Sequence, residues 1–130
     1  MKIERIGTRQ YTSTNERGAT IEIGKGPGQW SPGELLKVAL LGCNAMSSDQ
    51  RFASLLGDDF SLSGNVSAEY NEAEDRYTSF DVELVPDFGD IAPEDIAKVT
   101  RRALAAIERQ CTIGRTLDHV VPHTTSIEVE

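Results

Sequence analysis

The sequence predicts an α+β fold with mainly antiparallel sheet, in the order ββ-α-ββ-α-β. Strand-like runs occur in adjacent pairs joined by short turns, which is typical of hairpins rather than of βαβ units. A helix-like segment follows each pair, and the chain closes on a short alternating run, TTSIEVE. Because the chain has 130 residues, of which 38% are hydrophobic, we expect residues 1–130 to form a single domain.

The four strands of the two hairpins are predicted from alternation of polar and apolar residues. The first pair is joined by STNERG and the second by AEDR, both of which are typical turn sequences. The predicted strands cover residues 2–14, 19–25, 60–72 and 77–88.

The first helix is predicted from a capping box that precedes an apolar stripe. Ser31 is a suitable N-cap, Pro32 suits the first helical position, and Glu34 follows three residues after the cap. We expect the helix to continue to Gly57. Spacings of three and four positions predict one buried stripe, formed by Leu36, Ala39, Leu40, Cys43 and Met46.

The second helix is expected from about Pro93 to Gln110, with acidic residues in its first turn and arginines later, an order that suits the helix dipole. The stretch CTIGRTL follows it and is consistent with one short helical turn. In that case Cys111 lies near the N-terminus of the turn, and Arg115 is four residues further on.

Composition and charge exclude several classes of function. With 13 basic and 21 acidic residues, the net charge of −8 argues against a nucleic-acid partner or an anionic membrane. The chain contains no apolar run of about 20 residues, and its first residues are charged where a signal peptide is apolar. We therefore expect a cytoplasmic protein with reduced thiols. The chain has two cysteines and two histidines, His119 and His123, but Cys43 and Cys111 lack any CxxC or HxxxH pairing, and we therefore expect no metal and no bound cofactor.

The two cysteines allow a structural and a chemical interpretation. A cysteine on an apolar helix stripe is usually a small buried hydrophobe. A reactive thiol needs a lowered pKa, and Cys43 lies about three turns into its helix, where the dipole no longer acts. Local sequence alone therefore ranks Cys111, near a helix start and Arg115, as the more acidic thiol.

Two segments of the chain resemble the OsmC/Ohr family. SPGELLKVALLGCNAM is similar to the family's core helix, with the pattern SP-E-LL-A-L--C, which carries a peroxide-attacking cysteine. RALAAIERQCTIGRTLDHVVPHTTSIEVE resembles its closing segment of a helix, a second cysteine and a final strand. The resemblance covers nearly all 130 residues, although only these two segments are specific.

The resemblance implies an interwoven homodimer with thiol sites at its interface. In active members an organic hydroperoxide oxidises the first cysteine, here Cys43, to a sulfenic acid. The second cysteine, here Cys111, condenses with it to a disulfide, which an external dithiol of the lipoyl type reopens. An arginine of the N-terminal hairpin region orients the peroxide, and Arg17 matches it best, with Arg5 and Arg9 as alternatives. Arg17 is otherwise expected to be a solvated turn residue.

The chain departs from the family pattern at Gly33. Characterised hydroperoxide reductases have a glutamate there, ten residues before the attacking cysteine, which pairs with the arginine. Glu34 does not replace it, because nine residues rotate a helix by about 900° and place Glu34 and Cys43 on opposite sides. The activity is therefore left open between an organic hydroperoxide reductase in oxidative-stress defence and a stress-associated binding protein or redox sensor without efficient peroxidase activity.

Overall fold

The computed structural model describes residues 1–129 and contains five strands and three helices. The strands are β1 (Lys2–Gly7), β2 (Gln10–Thr14), β3 (Thr20–Ile23), β4 (Leu62–Asn71) and β5 (Arg76–Pro86). The helices are α1 (Pro32–Leu56), α2 (Pro93–Gln110) and α3 (Thr112–Leu117). The strands form two antiparallel sheets, β1-β2-β3 and β4-β5, which confirms the predicted α+β class.

The N-terminal sheet differs from the prediction in its number of strands. Residues 2–14 form two strands instead of one, with Gly7 paired to Gln10 and a tight turn between them. Arg9 in this turn has a φ of 58°, which non-glycine residues rarely adopt. The sequence lacks the Asn-Gly or Asp-Gly pair that usually marks such a turn, so alternation alone could not place it.

The predicted last strand is also wrong for residues 124–129, which form no strand, and Glu130 lies outside the described residues. Ile127 is 89% and Val129 91% exposed. The alternation of this segment is typical of a strand, but a strand forms only where a neighbouring strand accepts its hydrogen bonds.

The start of α1 is the predicted capping box. The Ser31 N–H donates to Glu34 Oε1 at 2.9 Å, and the Glu34 N–H donates to Ser31 Oγ at 3.2 Å. The backbone hydrogen bond from Ser31 is the main cause that lowers the pKa of Glu34. At the other end, Gly57 adopts a φ of 93° directly after Leu56 and stops the helix.

The buried face of α1 differs from the predicted stripe. Its buried residues are Leu40, Ser48 and Phe52, at multiples of four positions. Cys43 is half-buried, while Met46, predicted to be buried, is 81% exposed. The apolar stripe of α1 is wider than the part of the helix that the rest of this chain covers. Periodicity predicts the stripe but not which part of it is covered.

The chain divides into two compact units. The first comprises Met1–Ala39 and Ala68–Phe80, and the second Leu40–Ser67 and the chain from Asp81. The second contains the hydrophobic core, in which Phe52 packs against Phe60 and Phe88 with ring centroids 6.1 and 6.2 Å apart. Helix α2 runs from Pro93 to Gln110 as predicted, and its buried residues are Val99, Ala103 and Ala106.

Candidate functional site

Both cysteines belong to the second unit and both are free thiols. Cys43 lies in the middle of α1. Cys111 joins α2 to α3: its N–H donates to the Ile107 carbonyl at 2.9 Å, and its Sγ accepts the Gly114 N–H at 3.3 Å. The single residue between the two helices therefore ends one and caps the other, which holds its sulfur in one place.

The two thiols lie close enough for each to shift the pKa of the other, although they are 68 positions apart in the sequence. Burial acts to raise the pKa of Cys43, but hydrogen bonds outweigh it, so that the pKa lies below its usual value. The donors, in decreasing order of effect, are the Ile113 N–H, the Cys111 thiol, the Thr112 N–H and the Ser47 side chain.

Cys111 has the opposite shift. Burial and the hydrogen bond with Cys43 raise its pKa, while the Gly114 N–H and the Asn44 side chain lower it less. Asn44 Nδ2 lies 3.2 Å from Cys111 Sγ, and Cys111 is only 1% exposed. The opposite directions of the two shifts make Cys43 the more readily ionised thiol of the pair.

The local ranking of the two thiols is thus wrong. Cys111 does lie at the N-terminus of a short helix, as predicted, but the first backbone N–H groups of that helix, from Thr112 and Ile113, act on the sulfur of Cys43. Local sequence cannot reveal this, because the donors and the acceptor come from distant parts of the chain. The guanidinium of Arg115, on which the local ranking relied, donates to the Arg109 carbonyl at 2.7 Å.

Arg17 belongs to the first unit, in the turn between β2 and β3. Its backbone N–H and that of Ala19 both donate to Asn15 Oδ1 at 2.9 Å, and Gly18 completes the turn with a φ of 87°. The side chain of Arg17 is exposed, and within residues 1–129 it makes no ion pair. Its predicted role toward the thiolate stays a prediction.

Gly33 has a specific neighbour that the sequence did not indicate. A Cβ at this position would overlap the hydroxyl group of Tyr77, a residue of β5 in the same unit. Tyr77 packs against the rings of Tyr70 and Phe80, and Lys37 Nζ lies 5.4 Å from its ring centroid. The phenol therefore fills the space that a side chain at position 33 would need.

A groove of about 900 Å³ lies elsewhere in the second unit, and neither cysteine lines it. Its walls come from α1 and α2, with Asp58 at its border. The charged side chains that line it are Arg51, Asp58, Asp95, Lys98, Arg102 and Arg109. A groove with this lining does not suit an apolar ligand. Within residues 1–129, none of the helices combines the length and the apolar character that a membrane span requires.

Comparison of sequences identifies relatives that are named as uncharacterized proteins. No family model matches the chain. It is 36% identical over 117 residues to the uncharacterized protein Rv2923c of Mycobacterium tuberculosis, and the match covers 88% of this chain and 85% of that protein. The same values apply to the uncharacterized protein Mb2948c of Mycobacterium bovis.

Comparison of structures confirms the fold expected from the resemblance. An OsmC-like protein of unknown function from Vibrio cholerae matches with a TM-score of 0.60 at 14% identity, over 84% of this chain and 79% of that one. The organic hydroperoxide resistance protein OhrB of Bacillus subtilis matches with a TM-score of 0.55 at 19% identity, over 88% of both chains. A hypothetical protein from Aquifex aeolicus matches with a TM-score of 0.71 at 15% identity, over 90% and 84%.

Proposed function

Because this chain belongs to the family of the uncharacterized mycobacterial protein Rv2923c and has the OsmC/Ohr fold, we propose that it is a thiol-dependent peroxidase that reduces organic hydroperoxides in oxidative-stress defence. The observation that supports the chemistry is that Cys43 and Cys111 lie together: Asn44, the neighbour of Cys43 on α1, donates to Cys111 Sγ at 3.2 Å, and each thiol shifts the pKa of the other. Two inert core cysteines that are 68 positions apart in the sequence are not expected to lie together and to have pKa values shifted in opposite directions.

In the proposed first step, the Cys43 thiolate attacks the outer oxygen of the hydroperoxide. A sulfur–oxygen bond forms, the oxygen–oxygen bond breaks, and the alkoxide leaves and takes a proton to become an alcohol. Cys43 is oxidised to a sulfenic acid. Its donors support this step, because hydrogen bonds to the charged form keep a thiol ionised.

In the second step, Cys111 as thiolate attacks the sulfur of the Cys43 sulfenic acid. A disulfide forms, and hydroxide leaves and becomes water with the proton that Cys111 gave up. An external dithiol, which we propose to be of the lipoyl type, then reduces the disulfide and is itself oxidised to a disulfide. The scheme uses no bound cofactor or metal, and all its electrons pass through sulfur.

We assign the cation of the site to Arg17. The leading groups that lower the pKa of Cys43 are hydrogen-bond donors, to which a guanidinium would add. A guanidinium suits a peroxide, since it presents several donors in a fixed plane. The Arg17 side chain is exposed and free of ion pairs within residues 1–129, which leaves it available for such a contact.

We further propose that the active form is a homodimer in the cytoplasm. The sheet β1-β2-β3 contains no buried side chain, although Ile3 and Ile21 lie on one face of it, each aligned with Ser13. The exposed alternating segment 124–129 supplies strand-forming residues without a partner strand. A second copy of the chain would cover the apolar face of this sheet and would supply a partner strand for the segment 124–129.

The experiment compares the reduced protein with its Cys43→Ser and Cys111→Ser variants after addition of cumene hydroperoxide, with hydrogen peroxide in parallel. We expect the wild-type protein to lose both thiols and the Cys43→Ser variant to retain Cys111 as a thiol. The Cys111→Ser variant should form a sulfenic acid that a dimedone-type probe traps.

Unchanged thiols in the wild-type protein after prolonged exposure to excess hydroperoxide would overturn the proposal. A disulfide that forms once but is not reopened by a lipoyl dithiol would instead favour a redox sensor, because turnover requires both halves of the cycle. A faster reaction with cumene hydroperoxide than with hydrogen peroxide would support the apolar substrate class.

A further inference from the structure

We propose that the side-chain amide of Asn44 positions Cys111 for closing the disulfide, and that it acts on this step rather than on the attack of Cys43 on the hydroperoxide. The inference rests on the proposed function and adds a residue that neither the sequence pattern nor the resemblance singled out. It follows from how the hydrogen-bond donors are divided between the two sulfurs.

Asn44 directly follows Cys43 on α1, yet its side chain reaches the other cysteine. Its Nδ2 donates to Cys111 Sγ at 3.2 Å, next to the Gly114 N–H, which donates to the same sulfur at 3.3 Å. The donors to Cys43 are a separate set, namely Ile113, Thr112, Ser47 and the Cys111 thiol. Each sulfur therefore has its own set of hydrogen-bond donors, and Asn44 belongs to the set of Cys111.

The resolving step needs this support more than the first step does. Cys111 has to become a thiolate before it can attack the sulfenic acid, while burial and Cys43 both act to keep it protonated. Cys111 is 1% exposed, so that water cannot replace a missing donor. Once the Cys43 sulfur carries an oxygen and no longer a negative charge, the two N–H donors are left to stabilise the thiolate of Cys111.

The first test measures the two steps separately by rapid quenching with a sulfenic-acid trap and a thiol-alkylating agent. In Asn44→Ala and in the similarly sized, neutral Asn44→Leu, we expect the second-order rate of sulfenate formation to stay within about twofold and disulfide closure to slow by about tenfold, as for a lost hydrogen bond to a charged group. The trapped sulfenate and the irreversibly oxidised fraction should rise accordingly. Gln50→Ala, an exposed amide residue on the same helix, serves as the control.

The second test needs no peroxide chemistry. The more exposed Cys43 attacks a chromogenic aromatic disulfide, forms a mixed disulfide and releases a first coloured aromatic thiolate. Cys111 then attacks the Cys43 sulfur, forms the protein disulfide and releases the second aromatic thiolate. We expect this second release to slow by about tenfold in both Asn44 variants. In a Cys43→Ser background, where only Cys111 titrates at the site, Asn44→Ala should raise the pKa of Cys111, measured by thiolate absorbance.

The outcomes separate this inference from the proposed function. If the wild-type protein does not react with hydroperoxides, the proposed function fails, while the mixed-disulfide reaction still decides the role of Asn44. Unchanged closure in both variants, an unchanged pKa of Cys111, or an equal slowing of both steps would each overturn the inference. Circular dichroism on both variants identifies loss of folding, and Asn44→Leu, which keeps the size of the side chain, provides the result if Asn44→Ala does not fold.

Discussion

The hydroxyl group of Tyr77 occupies the space into which a side chain at position 33 would project. A Cβ on Gly33 would also lie 3.1 Å from Tyr77 Cζ, and the ring is held in place by Tyr70 and Phe80. Position 33 is where the resemblance would place a glutamate. The position of the Tyr77 ring therefore requires a glycine at position 33, because any larger residue would overlap the phenol.

This relationship predicts that the effect of Gly33→Ala on the free energy of unfolding depends on whether Tyr77 is present. In the wild-type protein, Gly33→Ala should lower the free energy of unfolding by about 1–3 kcal/mol, because it overpacks the contact with Tyr77. In a Tyr77→Ala background the same substitution should be neutral or should stabilise by up to about 1 kcal/mol, since alanine favours helix over glycine. Denaturant unfolding of the four proteins measures both values. Equal effects in the two backgrounds would contradict the prediction.

The pH dependence of alkylation should differ between the two thiols. Donors from Ile113 and Thr112 stabilise the Cys43 thiolate, so its alkylation rate should rise at lower pH than that of an ordinary free thiol. The alkylation rate of Cys111 should rise at higher pH than that of an ordinary free thiol. Mass spectrometry of samples alkylated at a series of pH values measures the two midpoints.

A matched pair of variants tests the cause of that shift. Cys111→Ala removes a donor to the Cys43 sulfur and should move its midpoint to higher pH, whereas Cys111→Ser keeps a hydroxyl donor and should move it less. If the midpoint of Cys43 is the same in both variants and in the wild-type protein, the thiol of Cys111 does not stabilise the thiolate.

Oxidation should stabilise the fold. A disulfide between Cys43 and Cys111 closes a long loop and restricts the unfolded chain, which for this length predicts about 4 kcal/mol. We expect the oxidised wild-type protein to unfold at higher denaturant concentration than the reduced one. The Cys43→Ser variant under the same oxidant is the control and should show no change. A lower midpoint after oxidation would mean that the bond strains the folded state.

The C-terminal segment should contribute to self-association. Replacing Ile127 or Val129 with aspartate removes apolar residues that we expect a second copy to cover, and this should shift the protein from dimer to monomer in sedimentation analysis. Val120→Asp, also at a fully exposed position but outside the segment 124–129, is the matched control. A wild-type protein that is monomeric at every concentration tested would contradict the proposed homodimer.

The amino-acid sequence by itself determined the elements that depend on local interactions. The capping box of Ser31 and Glu34, the span of α2 and the short helix after Cys111 could all be predicted, because hydrogen bonds and apolar spacing within a few residues produce them. The turn at Arg9 and the exposure of Met46 could not, since they depend on backbone strain and on what covers each face.

Only the tertiary structure decided which of the two thiols is the more readily ionised. The segments that approach Cys43 and Cys111 are far apart in sequence, and the N–H groups at the start of α3 act on a thiol from the middle of α1. The same holds for Asn44 beside Cys111 and for Tyr77 over Gly33. Hydrogen-bond donors and excluded volume act over a few ångströms in space, so the identity of these partners exists only once the chain has folded.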